Sequence, residues 1–149
     1  MAGFIPKFLY KGCHHLTTPA TITCTDAETY YKITGTFGDG DNCNCGFTYD
    51  GTGRITYNGE DAYFLLTGVS DVSADKVCTI TYGMYMNGSL VTGAETPHSF
   101  PNASSTTNIS ISNIIKLTNG DYIETWVKSD TASTDVDVQN LMLTLLGDR

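Results

Sequence analysis

Three short clusters carry residue types able to do chemistry. Cys13-His14-His15 and Cys43-Asn44-Cys45 supply soft donors that could converge on zinc, yet their spacing matches no recurrent zinc motif. Asp39-Gly40-Asp41-Asn42 sets two carboxylates and an amide on a glycine-flexible loop, part of an oxygen shell for calcium. It lacks the later acidic ligand of an EF-hand, and turn chemistry accounts for the same residues. His98 sits in a segment flanked by Pro97 and Pro101. No spacing pairs a nucleophile with a base and an orienting group, or sets two carboxylates across a cleft, so no catalytic, cofactor-binding or metal residue is assigned. The five cysteines (Cys13, Cys24, Cys43, Cys45, Cys78) are an odd set without a regular framework. Reduced thiols packing as small apolar groups are the expectation.

Composition bounds the elements that could position such residues. A chain of 149 residues suits one domain with a real core. Only 16% of it is charged, while Thr, Ser, Gly, Asn and Tyr abound, which favours strands and tight turns and predicts an all-β fold. A formal charge of −8 makes approach to nucleic acid repulsive. No run of about 18 apolar residues occurs, and Met1 to Lys7 lacks the apolar core of a secretory signal. The expectation is a soluble, cytoplasm-made protein that binds neither nucleic acid nor membrane. Asn87-Gly88-Ser89, Asn102-Ala103-Ser104 and Asn108-Ile109-Ser110 match glycosylation acceptors but read as turn and strand chemistry.

Residues 1–27, with Pro6, Gly12 and Pro19 and the apolar group Phe4, Ile5, Phe8, Leu9 and Tyr10, show no sustained periodicity and read as an N-terminal arm on a domain spanning 28–149. Alternation begins near Tyr31, and Gly38 to Gly46 interrupts it. Phe47-Thr48-Tyr49 and Arg54 to Tyr57 flank a turn as a hairpin, and Asn87-Gly88 signals another. Pro97 and Pro101 keep their region irregular or at an edge. Thr107 to Thr118 and Asp121 to Lys128 read as a third hairpin about Asn119-Gly120. About eight or nine strands of this kind predict a single jelly-roll β-sandwich.

Two segments are apolar on both sides. Ala62, Phe64 and Leu66 alternate with Tyr63, Leu65 and Val69, and Leu141, Leu143 and Leu145 alternate with Met142 and Leu146. A monomeric sandwich buries only the face between its sheets, so the second face is expected against symmetry copies. Tyr63, Leu65, Ile114, Met142 and Leu146 are the expected interface. Tyr122 and Trp126 oppose the core parity of Ile123 and Val127 and are candidates for an outer contact surface.

With the strands laid out, residues from about Thr29 to Leu146 resemble the trimeric jelly roll of the C1q and tumour-necrosis-factor superfamily, particularly its compact bacteriophage versions. The resemblance rests on Tyr30-Tyr31-Lys32-Ile33-Thr34-Gly35, Arg54-Ile55-Thr56-Tyr57-Asn58-Gly59, Tyr63-Phe64-Leu65-Leu66, Met84-Tyr85-Met86-Asn87-Gly88, the Leu117-x-x-Gly120-Asp121-Tyr122-Ile123 turn and Asn140-Leu141-Met142-Leu143. It implies a homotrimer whose inner sheet, around the threefold axis, holds Ala62 to Val69, Thr107 to Leu117 and Val136 to Leu146. No Gly-X-Y stalk or disulfide framework is evident, so the functions of the secreted animal ligands do not carry over. The absence of a coiled-coil or repeat shaft leans toward decoration. The implied function is a phage capsid decoration or cement protein on the outer capsid surface, bound to major capsid protein subunits through the arm residues Phe4, Ile5, Phe8, Leu9 and Tyr10. The alternative is a receptor- or glycan-binding fibre tip that engages a host glycan.

Overall fold

The computed structural model describes residues 9–148, the side chains of 9, 40–44 and 148 excepted. These residues form twelve strands and no helix. In chain order they are β1 (Leu9–Leu16), β2 (Ala20–Cys24), β3 (Tyr31–Lys32), β4 (Phe37–Cys45), β5 (Phe47–Tyr49) and β6 (Arg54–Tyr57). The second half comprises β7 (Ala62–Ala74), β8 (Cys78–Met86), β9 (Ser89–Phe100), β10 (Thr106–Leu117), β11 (Tyr122–Ser129) and β12 (Thr134–Asp148). One sheet runs β10-β7-β12-β1-β4, with β2 also on β12; the other runs β5-β6-β11-β8-β9, with β3 on β11.

Alternation decides which side chains enter the sandwich. Along β7, Ala62, Phe64, Leu66 and Val72 point inward, and along β10 Ile109, Ile111, Ile115 and Leu117 do. β12 changes parity midway, from Val136 and Val138 to Leu141, Leu143 and Leu145, yet all five are buried. A register shift against β7 between Val138 and Asn140 absorbs the extra residue and returns the leucines to the core. At one end of the sandwich Phe47, Tyr57 and Phe64 form an aromatic cluster with ring centroids 4.9–5.4 Å apart.

The hairpin signals hold where turn chemistry fixes the strand partner. β5 pairs with β6, and β8 with β9 across Asn87 and Gly88, both with positive φ (52° and 81°), as a two-residue primed turn requires. Pro97 lies on the edge strand β9. Thr96 Oγ1 donates to the Ser110 carbonyl at 3.1 Å, and Asn113 Nδ2 donates to the Thr92 carbonyl at 3.2 Å, tying the β9 and β10 edges together across the two sheets.

Other expectations need correction. β10 and β11 are not a hairpin: β10 pairs with β7 in one sheet, and β11 pairs with β6, β8 and β3 in the other. The tight turn does form, with the Asp121 carboxylate accepting from the Thr118 N–H at 2.8 Å, but it hands the chain from one sheet to the other. Much of the expected arm also belongs to the body. β1 pairs with β12 and β4, β2 pairs with β12, and Gly12, His14 and Leu16 point inward. The polar inward residue His14 and the flanking Gly and Pro hid that alternation. Gly38 to Gly46 belongs largely to β4, an edge strand on β1, instead of a break between strands.

Close packing leaves no room at Gly147, opposite Phe64 in the β12–β7 register, where an added Cβ would stand 2.5 Å from that buried ring. Gly147→Ala is therefore expected to destabilise the fold by about 1–3 kcal/mol, read as a lowered urea midpoint. An unchanged midpoint would contradict this packing.

Candidate interaction surfaces

The outer face of the β10-β7-β12 sheet gathers large apolar side chains that the fold leaves uncovered. Ile114, Leu65 and Leu146 stand in register on three adjacent strands, at 70%, 46% and 38% exposure. Tyr63 lies two residues along β7 at 67% exposure. Val69 and Met142 face each other further up the same pair, and Met142 in turn faces His15 of β1. All five residues expected at an intersubunit contact (Tyr63, Leu65, Ile114, Met142, Leu146) thus lie on one face. Val69 extends that face and shares the parity of Tyr63 and Leu65.

A polar row bounds the patch at one end. Asp71 accepts from Asn108 Nδ2 and Asn140 Nδ2, each at 3.0 Å, and these bonds hold its carboxyl below the usual range. A groove of about 390 Å³ runs beside it, between His15, Val69, Asp71 and Met142. The row depends on the register of three strands distant in sequence, and no local signal could have announced it.

The outer face of the other sheet is organised differently. Glu124 projects outward from β11 yet is only 3% exposed, because its neighbours close over it. Its carboxylate accepts from Arg54 Nε at 2.9 Å and Trp126 Nε1 at 3.1 Å and pairs with Lys32 Nζ at 3.0 Å. Burial pushes this carboxyl up, but the hydrogen bonds from Lys32, Arg54 and Trp126 outweigh it and hold the group below the usual range. Trp126 stacks on Tyr85 at 4.5 Å, and Tyr85 meets the Tyr30 ring edge-on at 5.5 Å. The Arg54 guanidinium lies 3.9 Å above the Tyr122 ring. Tyr122 and Trp126 are half-buried members of this network, their exposed parts forming an aromatic and cationic surface.

The strands that carry Cys13-His14-His15 and Cys43-Asn44-Cys45 are paired, with Lys11 opposite Cys45, Gly12 opposite Asn44 and His14 opposite Asp39. His14 is buried, its ring centroid 4.4 Å from that of Phe37, while the adjacent His15 is exposed on the opposite side of the sheet. His98 lies edge-on to Phe100 at 5.3 Å. Among the described residues no group of three or more His, Cys, Asp or Glu side chains is placed to hold a metal. The side chains of Cys43 and Asp41 lie outside the described residues, so the zinc and calcium readings that use them do too. Cys13 corrects the expectation of reduced thiols: it is disulfide-bonded, while Cys24, Cys45 and Cys78 are free. An odd count conceals one disulfide, because pairing depends on which strands become neighbours. Of the expected anchoring residues, Phe4, Ile5 and Phe8 lie outside the described residues, and Leu9 begins β1. Tyr10, half-buried, packs against Tyr57 at 5.5 Å and Phe64 at 6.2 Å.

No protein-family model and no curated protein sequence matches the chain. Solved structures do. The Eiger tumour-necrosis factor of S. frugiperda superposes with a TM-score of 0.69 at 12% identity, over 93% of this chain and 92% of that one. The fold is a tumour-necrosis-factor-like jelly roll. Murine APRIL at pH 5.0 gives a TM-score of 0.64 at 11% identity, over 92% of this chain and 98% of its own, and the same protein at pH 8.5 gives 0.62 at 12% with the same coverage. At such identities the likeness establishes the jelly roll and transfers no activity. Within this tumour-necrosis-factor-like jelly roll, Ala62–Ala74, Thr106–Leu117 and Thr134–Asp148 are adjacent strands of one sheet, as the resemblance implied.

Trp126 is the single tryptophan of the chain, so its fluorescence reports on the Glu124 network. Glu124→Ala leaves Lys32 and Arg54 without their shared anion and is expected to cost about 2 kcal/mol, reduced from a fully buried pair because both cations reach solvent. A red-shifted emission should accompany the loss. Unchanged emission and stability would show that the network does not hold the ring.

Proposed function

We propose that this chain is a non-catalytic binding protein that works as a homotrimer closed through the outer face of the β10-β7-β12 sheet. The observation that carries this reading is the in-register row Ile114, Leu65 and Leu146, extended by Tyr63, Val69 and Met142. Taking a wholly exposed side chain of this size to full burial is worth about 1.5–3 kcal/mol, and six partly exposed ones each contribute a fraction of that toward the entropic cost of docking. An apolar centre bordered by the Asp71 row has the anatomy of a subunit interface. The resemblance to trimeric jelly rolls favours a copy number of three.

The proposed setting is the outer surface of a phage capsid, where the trimer decorates and cements the shell by binding major capsid protein subunits. The −8 charge favours the outside of a particle over its genome side. The Cys13 disulfide suits a protein that persists outside a reducing cytoplasm. Phe4, Ile5 and Phe8 remain candidates for shell contact. The work would be done by binding, with burial at the contacts raising the barrier to rupture.

A second reading, a fibre tip that binds a host glycan, draws on the aromatic and cationic face around Trp126, Tyr122 and Arg54.

Leu65→Asp and Ile114→Asp place charge in the proposed interface, and each is expected to leave the fold intact by circular dichroism while chemical crosslinking captures only single chains. Trimers persisting in both variants would remove the face from the interface. Particles stripped of the protein should release their genome at a lower temperature than intact ones, and equal release temperatures would end the cement role. Host adsorption abolished by Trp126→Ala would instead favour the fibre-tip reading.

A further inference from the structure

His14 occupies a position in the fold that neither trimer formation nor capsid binding uses. It points from β1 into the sandwich at 2% exposure, and its Nε2 has no hydrogen-bond partner among the described residues. A neutral imidazole tolerates this site, whereas a charged one would be desolvated with nothing to compensate it. We propose that His14 is an acid-sensitive latch: when it takes up a proton, β1 loosens from its seam between β12 and β4.

The surroundings offer an imidazolium little help. Phe37 of β4 covers the ring at 4.4 Å, and Tyr49 of β5 lies at 6.3 Å with its hydroxyl accepting the Cys13 N–H at 3.0 Å. Leu143 faces His14 from β12, and Asp39, opposite it on β4, is solvent-exposed. The Asp50 carboxylate attracts the proton, but it accepts from the Thr52 and Arg54 N–H groups at 2.8 and 2.9 Å and from the Thr52 hydroxyl at 2.7 Å, which commits it to its own turn. His15 and Lys32 oppose protonation. Burial, the largest effect, together with these neighbours pushes the His14 pKa down to about 4 from 6.5.

The open form therefore binds a proton more readily than the closed form. Stability of the seam is complete above the ordinary imidazole value of 6.5 and is lost as pH falls toward 4. At pH 5 the opening equilibrium should rise by about 30-fold. Since among the described residues β4 joins its sheet only through β1, release of β1 frees both strands, while β10, β7 and β12 remain paired. The device is local and does not depend on oligomeric state.

Hydrogen–deuterium exchange on the full chain at about pH 7.5 and about pH 5, corrected for intrinsic rates, tests it. The β1 amides should lose protection by about 30-fold at the lower pH, with β10 unchanged, and His14→Phe should abolish the difference. Equal protection of β1 at both pH values, or the same loss in His14→Phe, would overturn the proposal. Should that variant fail to fold, an NMR titration of the His14 ring in the unaltered protein decides: a midpoint well below the ordinary imidazole value supports the latch, and an ordinary midpoint overturns it.

Discussion

The pairing of β7 with β12 is the constraint on which the rest of this molecule depends. From Ala74 opposite Val136 to Phe64 opposite Gly147, the two strands run side by side with apolar residues on both faces of much of the pair. The inner residues build the core with the opposite sheet. A bulge next to Val138 lets β12 do so along its length despite a change of parity. No element of the described residues lies over the outer residues.

The two outer faces contrast in how they meet water. On the β11 face large groups find partners within the chain: Glu124 gathers Lys32, Arg54 and Trp126, Tyr85 stacks on Trp126, and Arg54 covers Tyr122. On the β7 face Tyr63, Leu65 and Ile114 are among the most exposed large apolar residues. Burial of such side chains is worth more than any surface ion pair, so the β7 face is the one that calls for a cover. The β11 face already carries an internal network, to which any contact it makes would add.

Much of this was legible because a strand's period of two survives in the residues themselves. The alternation of Ala62, Phe64 and Leu66 with Tyr63 and Leu65 separated core from outer face before any coordinates, and Asn87-Gly88 fixed its hairpin by backbone chirality. Features that depend on which distant strands meet were not legible. Asn119-Gly120 announced a turn but not that β10 and β11 enter different sheets. The Asp71 row needs three strands in register, and the Cys13 disulfide needs β1 in its place. β1 itself was missed because its inward residues are Gly12, His14 and Leu16, a pattern whose middle member is polar. That histidine broke the expected hydrophobic rule at a core position where its Nε2 is buried without a partner among the described residues.

The central claim is that the uncovered face of β10, β7 and β12 is closed by copies of the same chain. Sedimentation equilibrium of the unaltered protein at micromolar concentration tests it most directly. A mass three times the 16.1 kDa of one chain is the expected result. A mass of one chain, with that face bare in water, would contradict it.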